Sequence, residues 1–314
     1  MLSIFLALRY NGLESGIYTF SAMLNHECRP NVVKFLANSG QSYLPSTYSE
    51  VRATRLVKAG ESLTISYMPR LVSHASRRRH LWEQHRFDIG TNLESGLRRM
   101  ELVDGGLPSS SKEYVDEDSL TSRIERSIAE MELLYETIKD ALEQAPSNKA
   151  ESWEQAKALE VASLELLAES DRQLLNKNHV LLIPCLAMHL DVCELVLDQD
   201  SKSQSLKQTQ RYKLLSRTVS TALRLVGLQK SYWGDSHFDV ARTYLDLSQA
   251  IEELLGESQL SLLAALETNR GDLKTFRDWS LFQHECLTEH ERIKACYPRD
   301  ALEYVREGGA LTHG

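Results

Sequence analysis

Beyond about residue 118 this chain repeats apolar residues at helical spacing almost to its end, and such a pattern can be buried only by packing helix against helix. Ile124, Ile128, Met131, Leu134 and Ile138 recur at intervals of three and four, which predicts the inward stripe of an amphipathic helix. The same texture predicts helices over 151–175, 180–197, 206–228, 240–255, 259–266 and 276–295. Short breaks separate them, among them Ala145-Pro146-Ser147-Asn148, Asn176-Lys177-Asn178 and Trp233-Gly234-Asp235, so neighbours are expected to run antiparallel. Pro184 stands inside an apolar stretch and must kink or begin its helix.

The first ninety residues have a different character. Val32-Val33-Lys34-Phe35, Ser49 to Thr54 and Ser62 to Tyr67 are short runs separated by Gly, Asn, Ser and Pro, and they predict strands joined by turns. In the last run Leu63, Ile65 and Tyr67 share one face, giving it one side to bury. Residues 77–87 predict a short helix. From Thr91 to Glu117, glycines, Pro108 and Ser109-Ser110-Ser111 break all periodicity. The expected organisation is a β-containing domain over 1–91, a linker over 92–118 and a helical domain over 119–314, an α+β multidomain chain that is mostly α.

At 314 residues and 42% apolar content the chain has material for two cores. Its net charge of -8 and pI near 5.7 argue against direct nucleic-acid binding, which needs a basic surface. Five scattered cysteines, Cys28, Cys185, Cys193, Cys286 and Cys296, fit free thiols in a reducing nuclear or cytoplasmic setting. The apolar opening Met1 to Leu8 lacks a basic flank and is far shorter than the ~20 residues of a spanning helix, so it predicts a buried element and no membrane association.

The richest chemistry lies in Asn25-His26-Glu27-Cys28-Arg29-Pro30-Asn31, followed about forty residues later by Gly60-Glu61-Ser62-Leu63-Thr64-Ile65-Ser66-Tyr67. Taken alone, the first stretch is a polar turn after Ala22-Met23-Leu24, with Pro30 and Asn31 as turn formers and Asn25 and His26 able to satisfy loose backbone groups.

Together, N-H-x-C-x-P-N and G-E-x-L-x-I-x-Y resemble the paired signatures of SET-domain protein methyltransferases. Gly16-Ile17-Tyr18 and Ser21-Ala22-Met23-Leu24 resemble the approach to the first signature in the subgroup that joins a SET domain, a MYND zinc finger and a tetratricopeptide-like helical tail. Asn178-His179 with Leu181-Leu182-Ile183, and Tyr297-Pro298-Arg299-Asp300, are similar to tail segments of that subgroup. The segment from Gly234 to Ser248 resembles a tetratricopeptide turn and helix, with Ala241 as the small contact residue and Tyr244, Leu245 and Leu247 around it, although no clean period of about 34 residues recurs.

The resemblance implies a cofactor, S-adenosyl-L-methionine, with Asn25 on its amino-acid part, His26 beside the adenine and Phe87 packed on the adenine face. It implies catalytic roles for Tyr67, beside the transferring methyl, and for Tyr18, lining a lysine channel. The implied substrate is a lysine of a histone or another protein, and the helical tail would make protein contacts. A narrow apolar channel near a sulfonium favours the neutral amine that attacks.

The chain also departs from the family. Only about fifteen residues precede Gly16, so the Gly-rich N-terminal SET half is not there, nor is a MYND finger. Where the subgroup has F-x-C-x-C, Phe87-Asp88-Ile89-Gly90-Thr91 offers no thiolates for zinc, and Glu27 replaces a small residue. Three expectations stand in order: part of an active enzyme, a degenerate methyltransferase kept as a helical scaffold for a protein partner, and an enzyme completed by its own N-terminus. His284, Cys286, His290 and Cys296 read as a half-buried helix face rather than a metal set, and no metal ligands are assigned. Arg77-Arg78-Arg79-His80 reads as the structural start of a helix, with Leu81 in the core, over a nuclear-import or nucleic-acid patch.

Overall fold

The computed structural model describes residues 12–13, 16–17, 20–37, 48–68, 71–89, 117–144, 149–174, 177–257, 273 and 275–297. They fall into two compact units: residues 1–92 with 229–242 and 289–314, and residues 93–228 with 243–288. Most of the described residues are helical, and the short strands among them lie in the N-terminal part. Tyr18, the opening apolar run, the helix expected over 259–266 and nearly all of the expected linker lie outside the described residues.

In the first unit, β1 (Gly12–Leu13) pairs antiparallel with β2 (Gly16–Ile17). A turn of 3-10 helix, Ser21–Met23, leads into β3 (Asn25–His26). β4 (Val32–Ala37) and β5 (Tyr48–Ala53) form an antiparallel ladder from Val32 opposite Ala53 to Ala37 opposite Tyr48. β6 (Thr64–Ile65) lies parallel to β3, with Asn25 opposite Thr64 and His26 opposite Ile65. Val32, Val33 and Ile65 are buried. The strand expected over 62–67 is thus cut to its centre. Leu63 does not join the buried face but is exposed, because the ladder with β3 spans only two residue pairs and leaves Leu63 outside it.

Helix α1 (His74–His85) starts where Ser73 Oγ accepts the Ser76 N–H and stops at Arg86, whose φ of 61° is left-handed. The helix therefore begins and ends a few residues earlier than the sequence suggests. Arg77 is buried and donates to the Val72 carbonyl at 3.0 Å, Leu81 is fully buried, and Arg78 grips Asp88 with two 2.6 Å hydrogen bonds. The basic run is built into the start of a helix, as expected.

Residues 229–242 belong to the same unit. Gly234 has φ 101°, and a Cβ there would stand 2.5 Å from the Thr54 carbonyl oxygen, so only glycine fits. That carbonyl accepts the Ser236 N–H at 2.9 Å, Trp233 stacks on His237, and the Tyr297 hydroxyl donates to the Ser236 carbonyl. Arg29 reaches the Ser231 carbonyl.

In the second unit, α2 (Glu117–Gln144), α3 (Lys149–Gln173) and α4 (Leu182–Ser203) pack on one another. Ile124, Ile128 and Ile138 are buried as expected, together with Leu120 and Leu142. Leu134 is exposed instead: at about 100° per residue it sits roughly 80° off the centre of the stripe set by Ile124, Ile128 and Ile138. Pro184 lies in the first turn of α4, where a missing N–H costs nothing. Helix α4 is buried on almost every face, from Leu182 and Ile183 to Val196 and Leu197, as suits a helix apolar nearly all round. Arg224 of α5 (Gln208–Trp233) grips Asp171 of α3 through two hydrogen bonds of 2.5 Å, and Arg211 pairs with buried Asp200 at 2.7 Å. Helices α6 (Phe238–Glu257) and α7 (Phe276–Lys294) complete the described elements. Ala241 and Leu247 are buried, while Tyr244 and Leu245 are half-buried. No described helix is long and apolar enough to cross a membrane.

Candidate functional site

The polar turn at 25–31 and the run at 60–67 fold against each other in the first unit, and buried side chains join them. Asn31 is buried and its amide donates to Glu61 Oε1 at 2.9 Å and to the Ser62 carbonyl at 2.8 Å. Its oxygen accepts the Thr64 N–H at 2.9 Å, and its own carbonyl accepts the Thr54 N–H at 3.0 Å. The side-chain amide of Asn31 thus fixes the register of β6, and its backbone carbonyl ties the same residue to the end of β5. Glu61 is held in turn by the Lys58 N–H, by Asn31 and by Arg55, and these bonds keep its carboxyl low, at about 2.

This clamp sets the next residues. The Tyr67 N–H donates to His26 Nδ1 at 3.0 Å, and the Tyr67 hydroxyl donates to the Leu24 carbonyl at 2.5 Å. The ring of Tyr67 is 5.5 Å from that of His26, 6.2 Å from Phe87 and 4.8 Å from His85, and His26 is 5.9 Å from Phe87. Of the residues expected to form a site, His26, Tyr67 and Phe87 are therefore brought together, and Asn25 joins them through the β3–β6 ladder. Asn25 is exposed, and its carboxamide makes no hydrogen bond among the described residues. Glu27 is also exposed, so its charge lies at the surface.

The electrostatics follow from burial. His26 is pushed down to about 4, chiefly by desolvation and then by the charges of Arg77 and His85, and its Nδ1 lone pair is taken by the Tyr67 N–H. It is a neutral imidazole at pH 7. Burial also raises the Tyr67 hydroxyl above its ordinary value. A protonated phenol whose one hydrogen is given to a carbonyl can orient a neighbour or accept a hydrogen bond, but it is no base at neutral pH.

Two residues escape a reading of the sequence alone. Asn31 looks like an ordinary turn former beside Pro30; its partnership with Glu61 of the second run is the signal that could have exposed it. His85 enters the ring cluster because α1 ends there and the left-handed Arg86 turns the chain so that Phe87 follows it.

Comparison with known proteins finds a match over the same part of the chain. The SET domain family model matches residues 7–68, which contain both polar runs. The chain is 31% identical over 109 residues to the Mus musculus histone-lysine N-methyltransferase Smyd1, covering 32% of this chain and 22% of that protein. It is 36% identical over 73 residues to the Mus musculus histone-lysine N-methyltransferase SMYD3, covering 23% of this chain and 15% of that protein. The chain thus spans about a fifth or less of the length of these curated relatives. Residues 7–68 match the SET domain, and in this part the chain is similar to methyltransferases of the SET and MYND type.

Proposed function

We propose that residues 24–31, 64–67 and 85–87 form one wall of an S-adenosyl-L-methionine-dependent protein-lysine methyltransferase site. The observation that carries this reading is the double anchoring of Tyr67, by its N–H on His26 and its hydroxyl on the Leu24 carbonyl, which sets the phenol against the polar turn.

The residues present fit such a cofactor on this side. Asn25 offers an exposed carboxamide, with donor and acceptor both available, for the amino-acid part. Phe87 and the neutral ring of His26 offer flat surfaces to a purine. When bound, the cofactor supplies an activated methyl group to a lysine amine. Tyr67 holds the reacting groups in line, and positioning of this kind is worth on the order of 7 to 11 kcal/mol. Its phenol keeps its proton, so the lysine loses its own proton to solvent, and an apolar channel favours that loss. Tyr18 would line that channel. The helical part over 119–314 is taken as a tetratricopeptide-like array making protein contacts, in a nuclear or cytoplasmic protein.

Calorimetry of S-adenosyl-L-methionine with the full chain tests the reading. Binding heat is expected, with affinity at least tenfold lower in Asn25→Ala, and with Tyr67→Phe lowering methyl transfer to a lysine peptide more than binding. A folded chain that gives no heat overturns it and leaves a helical scaffold.

A further inference from the structure

Between His26 and Asn31 the polar turn carries a thiol, Cys28, whose sulfur lies 3.5 Å from His26 Nε2. The thiol is half-buried, and the chain is fastened on either side of it. Before it, β3 pairs with β6, and the Glu27 N–H prolongs that pairing by donating to the Ile65 carbonyl at 3.0 Å. After it, Arg29 reaches the Ser231 carbonyl, and Asn31 grips Ser62 and Thr64. Residues two apart in extended chain point to the same side, so the sulfur is held against the imidazole.

The direction of this contact follows from the other ring nitrogen. His26 Nδ1 accepts the Tyr67 N–H at 3.0 Å, so Nδ1 holds a lone pair, and the neutral ring then carries its proton on Nε2. Nε2–H therefore donates, and Cys28 Sγ accepts. The opposite tautomer would set a ring N–H against the Tyr67 N–H, two donors facing each other, and would drive the ring away from Tyr67. An acceptor at Nε2 is what holds the ring in the form that Tyr67 needs.

The same pair of contacts limits what the ring can read. With Nδ1 taken by Tyr67 and Nε2 by Cys28, His26 has only its flat face left for a purine, beside Phe87 at 5.9 Å between ring centres.

We propose that Cys28 is a positioning residue of the cofactor wall: it holds His26 in the Nε2–H tautomer, which makes the ring a stacking surface and not a hydrogen-bonding reader of the purine. This rests on the reading of residues 24–31, 64–67 and 85–87 as an S-adenosyl-L-methionine site.

Three variants of the full chain separate a hydrogen bond from bulk. Cys28→Ser keeps an acceptor, Cys28→Val keeps bulk without an acceptor, and Cys28→Ala keeps neither. Nitrogen NMR of the histidine-labelled protein reads the tautomer of His26 and the exchange of its ring proton with water, and calorimetry reads S-adenosyl-L-methionine binding. Wild type is expected to carry the proton on Nε2 in slow exchange, and Cys28→Ser to resemble it in both readouts. In Cys28→Val and Cys28→Ala the proton should exchange several-fold faster and the cofactor bind about fivefold more weakly, the worth of one neutral hydrogen bond. A wild-type proton on Nδ1 overturns the proposal, as does a valine variant that matches wild type while the serine variant does not. The tautomer is read on wild type alone, so a variant that does not fold leaves the test standing. A folded wild type without binding heat removes the cofactor reading instead, and the ring proton then decides by itself whether Cys28 holds His26.

Discussion

The turn at 25–31 and helix α4 both bury polar side chains, yet they use them differently. Around Asn31 the ladder of β3 and β6 is only two residue pairs long, too short to set its own register, so one buried amide does so by gripping backbone on both sides. Along α4 the register is set by apolar side chains on nearly every face, and the buried polar groups, His189 and Asp200, answer to partners of their own. Register held by a few directional bonds is vulnerable at single atoms. Register held by packing is vulnerable to lost volume.

The comparison can be broken most directly in α4. Leu186→Ala removes a fully buried side chain and is expected to cost about 4 kcal/mol, read from the shift in urea midpoint followed by helix signal, while Leu186→Met should cost under about 1.5 kcal/mol. An alanine variant as stable as wild type would mean that α4 is not held by volume. Next comes Asn31→Ala, expected to cost about 3 kcal/mol because it strands the Thr64 N–H and the Ser62 carbonyl, and to expose Tyr67 fluorescence to quencher. A loss below about 1 kcal/mol would transfer the register of β6 to its apolar contacts.

His26 gives a comparable effect through pH. Its folded pKa of about 4 lies below the 6.5 of an unfolded histidine, so the unfolded chain binds the extra proton. The stabilisation from His26 is complete above pH 6.5 and drains away as pH falls toward 4, by up to ~3 kcal/mol. Proton titration of the ring by NMR checks this, and a midpoint near 6.5 would contradict the buried, neutral state. Smallest is Arg78→Ala, which removes an exposed pair with Asp88 and should leave the urea midpoint within its measurement error, whereas a clear drop would show that the pair holds the end of α1.

What the sequence disclosed follows the same division. Helices were legible because a stripe repeats: Ile124, Ile128 and Ile138 are buried where the period puts them, and Leu134 misleads only because three-residue steps drift off the stripe. The two polar runs were legible as a pair, and His26, Tyr67 and Phe87 do gather. The clamp made by Asn31 was not, since a turn former and a buried tie look alike until the partner is known. Nor does local pattern reveal that residues 229–242 and 289–297 cluster with the first ninety, or that His189 and Cys193 meet Glu160. Such meetings depend on which helices become neighbours, and no periodicity encodes that.

The glycine at 234, seated on the carbonyl of Thr54, carries a temporal consequence. A contact between such distant parts of the chain closes a very long loop, which raises contact order and slows assembly. During synthesis the strands near the start must wait, incompletely covered, until the ribosome has delivered the segment that caps them. The first unit by position is thus the last able to finish folding.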